Sequence, residues 1–94
     1  MDNPLEYSFD EIKIGLIHNF EVNIDEELTK KFANISGDYN PLHMDENYAK
    51  GTNFKERVVH GMLTASFIST MIGTRLPGKG SLWYEQHIKF LVPV

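Results

Sequence analysis

Asp38 and His43 are a carboxylate and an imidazole five positions apart, in the segment SGDYNPLH that spans residues 36–43. Around one water, such a pair can act as acid and base near neutral pH. What lies between them is stiff. Pro41 fixes its own φ and pushes Asn40 toward an extended conformation, so both flanking side chains can be aimed into one pocket. The same residues also build ordinary turns, with an Asx hydrogen bond from the Asp and a His satisfied in the core. On spacing alone that reading is the commoner one.

A second group sits at VVHGML, where His60 and Gly61 open an apolar helical segment. Free N–H groups and the positive end of the helix dipole collect at such a start. Gly61 has no side chain, so a carbonyl oxygen could approach its N–H as an oxyanion hole requires. A close packing contact is the slightly favoured alternative. Ser66 and Ser69 lie further along the segment, where serine usually bonds back to the preceding turn. Neither stands in a G-x-S-x-G elbow, which speaks against a serine hydrolase. GTRLPGKG, residues 73–80, imitates a phosphate loop, but it lacks the Ser/Thr after Gly-Lys and runs from helix to strand, so it reads as a turn. Lys79 and Arg75 remain available to an anionic ligand. His43-Met44-Asp45 has no further ligands at helical or hairpin spacing, so no metal is expected.

The elements that must position these groups follow from periodicity. Phe20, Val22 and Ile24 alternate with Glu21 and Asn23, which predicts a half-buried strand over 16–24. Asp25 is a natural N-cap, and Glu26 and Glu27 suit the first helical turn. Leu28, Phe32 and Ile35 then mark one helical face, and Gly37 ends it. Asp45 caps a short helix, ENYAK, closed by Gly51. No charge appears between His60 and Arg75, which predicts a buried helix roughly 20 Å long. Residues 81–91 read as a second strand, with Pro93 near its end. A helix that is apolar nearly all round needs something wrapped around it, and two strands are too few to do that.

Composition narrows the function classes. Ninety-four residues make one small domain, 1–94, with 41% hydrophobic residues, a globular composition. Nine basic against thirteen acidic side chains give a net charge of −4, which argues against nucleic acid as partner. There is no cysteine, so disulfides and thiolate metal sites are excluded. The N-terminus is acidic and lacks a signal-peptide pattern, and no stretch approaches a membrane span, so the expected location is cytoplasmic.

Taken together, SGDYNPLHMDENYA, ERVVHGMLTAS and LPGKGS resemble the MaoC-like (R)-specific enoyl-CoA hydratases. The D-x-N-P-x-H element, the H-G-M helix start and the P-G-x-G turn come in the family order, and the resemblance runs from about Phe9 to Val94. It implies an α+β hot-dog fold, an antiparallel sheet wrapped around one long central helix. It implies syn addition of water to a trans-2-enoyl-CoA, or the reverse dehydration, with no cofactor. Asp38 and His43 match the catalytic pair, and which of them activates water stays open. Gly61 matches the backbone donor to the thioester oxygen and Ser69 a hydroxyl near the pair. Asn40 and His60 join them as substrate-binding candidates.

Family members run on for several strands beyond the position of Val94. The expectation is therefore an incomplete sheet, finished by further residues of a longer protein or by another chain, and a homodimer or larger homo-oligomer. Two other functions compete: a hot-dog thioesterase or acyl-carrier dehydratase, and a truncated hot-dog half that binds acyl thioesters or assembles without catalysis.

Overall fold

The computed structural model describes residues 3–94. Its elements, in order, are a 3-10 turn (Phe9–Glu11), α1 (Glu26–Ser36), α2 (Pro41–Met44), α3 (Glu46–Lys50), α4 (Gly61–Thr70) and a π turn (Met71–Arg75). They fall into two compact units. One comprises Val22–Thr64 with Lys89–Val94, and the other the residues up to Glu21 with Ala65–Ile88.

In the first unit, α1 starts as its sequence dictates. The Asp25 carboxylate accepts from the Leu28 N–H at 2.9 Å, and Glu26 and Glu27 fill the first turn. The helix ends at Gly37, whose N–H returns to the Ala33 carbonyl at 2.8 Å. Its inner stripe is Thr29 and Ala33, both buried, beside the half-buried Leu28 and Phe32. Ile35, expected on this face, is 85% exposed, because it lies more than a third of a turn from the centre of that stripe. Asp45 caps α3 as expected, accepting from the N–H groups of Asn47 (2.9 Å) and Tyr48 (3.1 Å). Helix α2 is an addition to the sequence reading. Asn40 accepts from the Leu42 N–H at 3.0 Å, and Pro41 takes the first helical position, where its missing N–H costs nothing. In the same unit the Val59 N–H donates to the Val94 carbonyl at 2.8 Å.

The second unit is organised by its chain reversal. The Leu5 N–H donates to the Thr74 carbonyl (2.8 Å) and the Lys79 N–H to the Leu5 carbonyl (2.7 Å), with an antiparallel bridge between Glu6 and Gly78. GTRLPGKG is thus a turn. Lys79 stands 3.7 Å from the Glu6 carboxylate across it. Gly78 has φ +84, and a Cβ there would overlap the Leu5 carbonyl oxygen, so only glycine fits. The Ser8 N–H donates to Glu11 at 2.8 Å and holds that carboxyl below its ordinary pKa.

The sheet expected from the resemblance is not formed among the described residues. Segments 16–24 and 81–91 carry no strand, and the Glu6–Gly78 bridge is isolated. A strand is a property of a hydrogen-bonded pair, so alternation can mark the face to be buried without supplying the neighbour. Accordingly Ile17, Leu82, Tyr84 and Leu91 are each 80% exposed or more. The central helix exists, but its burial is narrower than its lack of charge predicts. Leu63 and Ala65 are buried, whereas Met62 is 57% and Ile68 41% exposed. No helix among the described residues is long and apolar enough to cross a membrane.

Candidate active site

All the polar groups around Asp38 belong to the first unit, and short-range hydrogen bonds fix their backbone. The Asp38 N–H donates to Ser36 Oγ (3.1 Å), while Asp38 Oδ1 accepts from the Asn40 N–H (3.1 Å). The second bond is the Asx turn expected of an ordinary loop. It leaves the other carboxylate oxygen and further lone pairs of Oδ1 available, and Asp38 is exposed. Asn40 uses its own side-chain oxygen to start α2. That cap places His43 on the third residue of the helix and turns its ring inward.

His43 is half-buried, and its Nδ1 lies 2.8 Å from the Val58 carbonyl oxygen. A carbonyl only accepts, so Nδ1 carries the proton and Nε2 of the neutral ring offers a lone pair. Behind it lies His60, only 2% exposed. Its ring stacks on that of His43 with centroids 4.1 Å apart and planes at 30°. Phe32 of α1 packs against His60 at 4.9 Å. His60 Nε2 is 2.9 Å from the Asp38 carbonyl oxygen, so by the same reasoning Nε2 is the protonated nitrogen.

One carboxylate oxygen of Asp38 and one ring nitrogen from each of His43 and His60 lie within 4.8 Å of one another. A single water spans that distance with a hydrogen bond of ordinary length at each end. The three groups could also reach a cation. The bonds of His43 Nδ1 and His60 Nε2 to backbone carbonyls leave a lone pair on the other nitrogen of each ring, and that of His60, on Nδ1, is buried. His43 also borders a cleft of about 160 Å³ shared with Ile24, Asp25, Thr29, Arg57 and Val59. Arg57 is held there by Glu26 at 2.8 Å.

Gly61 follows His60 at the first position of α4. The His60 carbonyl accepts from the N–H groups of Leu63 (3.0 Å) and Thr64 (3.2 Å), whereas the Gly61 N–H has no acceptor among the described residues. That is the expected state of a first-turn donor. The Phe90 ring lies close by, 3.0 Å from where a Cβ on Gly61 would stand. The packing role and the free donor therefore coexist at this residue.

The MaoC like domain model matches residues 10–94. The chain belongs to the MaoC-like domain family. It is 44% identical over 93 residues to an (R)-specific enoyl-CoA hydratase of Rhodospirillum rubrum, covering 99% of this chain and 65% of that protein. It is 40% identical over 86 residues to a 3-hydroxybutyryl-CoA dehydratase of Methylorubrum extorquens, covering 92% of this chain and 55% of the relative. Among solved structures, an (R)-hydratase of Pseudomonas aeruginosa in its unliganded form matches with a TM-score of 0.84 at 42% identity, over 90% of this chain and 55% of that one. The chain thus spans between about half and two thirds of the length of these relatives. Its backbone follows the corresponding part of the hydratase even though the segments read as strands lack ladders here.

Within this MaoC-like domain the residues singled out from sequence divide in two. Asp38, Asn40, His43, His60 and Gly61 share one compact unit, while Ser69 is an exposed residue of α4 in the other. The contribution of Phe32, Val58 and Phe90 was not visible beforehand. Phe32 read only as a core position, and nothing local marks the Val58 carbonyl or the Phe90 ring as neighbours of His43 and Gly61.

Proposed function

We propose that this MaoC-like domain takes part in (R)-specific hydration of a trans-2-enoyl-CoA to the (R)-3-hydroxyacyl-CoA, or in the reverse dehydration. The observation that carries the reading is the fixed tautomer of His43, with its Nδ1–H on the Val58 carbonyl and a carboxylate oxygen of Asp38 within 4.8 Å of a ring nitrogen. One water held between the Asp38 carboxylate and His43 Nε2 would supply both added groups. Its hydroxyl adds to the β-carbon, and its proton, relayed by the pair, goes to the α-carbon on the same face. The thioester oxygen gathers negative charge as the C–O bond forms. The unpaired Gly61 N–H, at the positive end of α4, is the donor we assign to it. Asn40 contributes by setting the orientation of α2, and Ser69 stays a candidate hydroxyl on the resemblance alone. The family match across both units supports reading 1–94 as part of one hot-dog domain. The relatives' names, a hydratase and a dehydratase, are the two directions of one reaction.

The test is steady-state kinetics with crotonyl-CoA. Asp38→Asn and His43→Gln should each lower kcat by about a hundredfold or more, as for a lost acid or base. Near-wild-type turnover in both variants would remove the pair from the mechanism. A second reading has one observation in its favour: the apolar side chains at Ile17, Leu82, Tyr84 and Leu91 are exposed, as an assembly module would leave them. Acyl-CoA binding without turnover would select it.

A further inference from the structure

His60 is the most deeply buried large side chain near the pair, and at 2% exposure it cannot reach a substrate. It nevertheless touches each part of the site. Its Nε2–H donates to the Asp38 carbonyl at 2.9 Å, and its ring is the surface on which His43 stacks at 4.1 Å. Its own carbonyl accepts the first two internal bonds of α4, and its peptide bond leads into Gly61. One residue therefore joins the carboxylate turn, the imidazole and the start of the helix that bears the free N–H.

The choice of histidine here is itself informative. His60 Nδ1 is buried and has no hydrogen-bond partner among the described residues. A buried acceptor left unpaired is costly. A phenylalanine would fill much the same space, pack against Phe32 and stack on His43 without that cost. What histidine adds is the Nε2–H. That donor holds the Asp38 carbonyl, which belongs to a loop whose other bonds, to Ser36 and Asn40, are all local. The His43 ring needs comparable help. A torsion between a tetrahedral and a planar carbon is broad, so the single bond to Val58 does not fix the ring plane, and the stacked His60 ring does.

We infer that His60 is a positioning residue of the hydration site, setting the distance between the Asp38 carboxylate and His43 without touching substrate; this rests on the reading of that pair as the acid and base. His60→Phe keeps the ring and removes the donor, while His60→Gln keeps a donor near Nε2 and removes the ring. A misplacement of about 1 Å in a reacting group can cost a hundredfold in rate. His60→Phe should accordingly lower kcat at least tenfold, with KM for crotonyl-CoA changed less than about threefold. Its melting temperature should stay the same or rise, since the unpaired Nδ1 is gone. A residue that served only stability would lose activity and melting temperature together. His60→Gln should recover part of the lost kcat.

The coupling to Asp38 supplies the sharper readout. Groups that act as one unit are not additive. Adding His60→Phe to Asp38→Asn should lower kcat by no more than about twofold beyond Asp38→Asn alone. A fully additive loss, a loss confined to KM, wild-type kcat in His60→Phe, or a kcat loss that only follows a fall in melting temperature would each overturn the assignment. If the wild-type protein hydrates no enoyl-CoA, the proposed function fails, and the positioning claim is decided by NMR. The wild type should then show a His60 Nε2–H protected from exchange, and His60→Phe should move the Asp38 carbonyl ¹³C resonance. A His60 protonated at Nδ1, or an unmoved Asp38 carbonyl, would overturn it.

Discussion

Gly61→Ala separates the two roles that meet at the start of α4. The added Cβ would stand 3.0 Å from Phe90 Cε1 and Cζ and 3.1 Å from Cδ1. That is several tenths of an ångström inside an ordinary carbon–carbon contact. Phe90 is 58% exposed, and the atoms in the way are the far edge of its ring, so the ring can swing rather than force the helix aside. Overpacking costs typically about 1–3 kcal/mol, and an exposed, movable ring places this site near 1. Against it stands the better helix propensity of alanine, worth up to about 1 kcal/mol. The net change in stability should therefore lie within about 1 kcal/mol of zero, read by urea denaturation. In a Phe90→Ala background the clash disappears, and Gly61→Ala should become neutral or stabilising. Activity should behave differently. If the Gly61 N–H serves the thioester oxygen, a methyl beside that amide crowds the bound thioester whether or not Phe90 is present. Crotonyl-CoA hydration should then fall at least tenfold on adding Gly61→Ala to either background, a fraction of the hundredfold or more lost with an oxyanion donor. Full activity of Gly61→Ala in the Phe90→Ala background would refute the donor role and leave Gly61 as a packing residue for the Phe90 ring.

Other outcomes follow from the same structure. Asp25→Ala removes the cap of α1 and should cost about 1 kcal/mol in urea denaturation, while Asp25→Asn should cost little. Arg57→Ala breaks a pair whose Glu26 side chain is 77% exposed, so its effect on stability should not exceed about 1 kcal/mol, and salt should reduce it further. Gly78→Ala meets both a left-handed backbone and the Leu5 carbonyl, so amides of the Leu5–Thr74 and Lys79–Leu5 bonds should lose hydrogen-exchange protection while those of α1 keep theirs. Ile17, Leu82, Tyr84 and Leu91 are each 80% exposed or more, and if that apolar surface drives association, sedimentation equilibrium at low micromolar concentration should show a dimer or larger species; a folded monomer with a cooperative melt would contradict this.

Local chemistry was legible in the sequence where it depends on neighbours along the chain. Asp25 and Asp45 cap because each stands just before a helix whose N–H groups need an acceptor, and Gly37 ends α1 because φ +79 suits a residue without Cβ. Helix α2 escaped because four residues are too few to show a period, although Asn40-Pro41 contains its cap and first position. The buried face of α1 excludes Ile35; spacing alone cannot tell which edge of an apolar stripe meets a neighbour. The strands that alternation predicts over 16–24 and 81–91 are not formed among the described residues, because pairing is non-local and alternation does not supply the partner. For the site, D-x-N-P-x-H pointed to Asp38 and His43 as a candidate pair, but not to how they are held. The Val58 carbonyl is fifteen residues from His43, and the His60 ring is twenty-two from Asp38, so no periodic pattern encodes either contact.

The proposed reaction is syn hydration to an (R) product by the Asp38–His43 pair. Hydration of crotonyl-CoA in D₂O, followed by configuration at both carbons, tests it most directly. The product should be (R) at C3, with deuterium at C2 added on the same face as the hydroxyl, and it should disappear with Asp38→Asn and His43→Gln. An (S) product, anti addition, or an (R) product formed as fast by both variants would contradict that reaction.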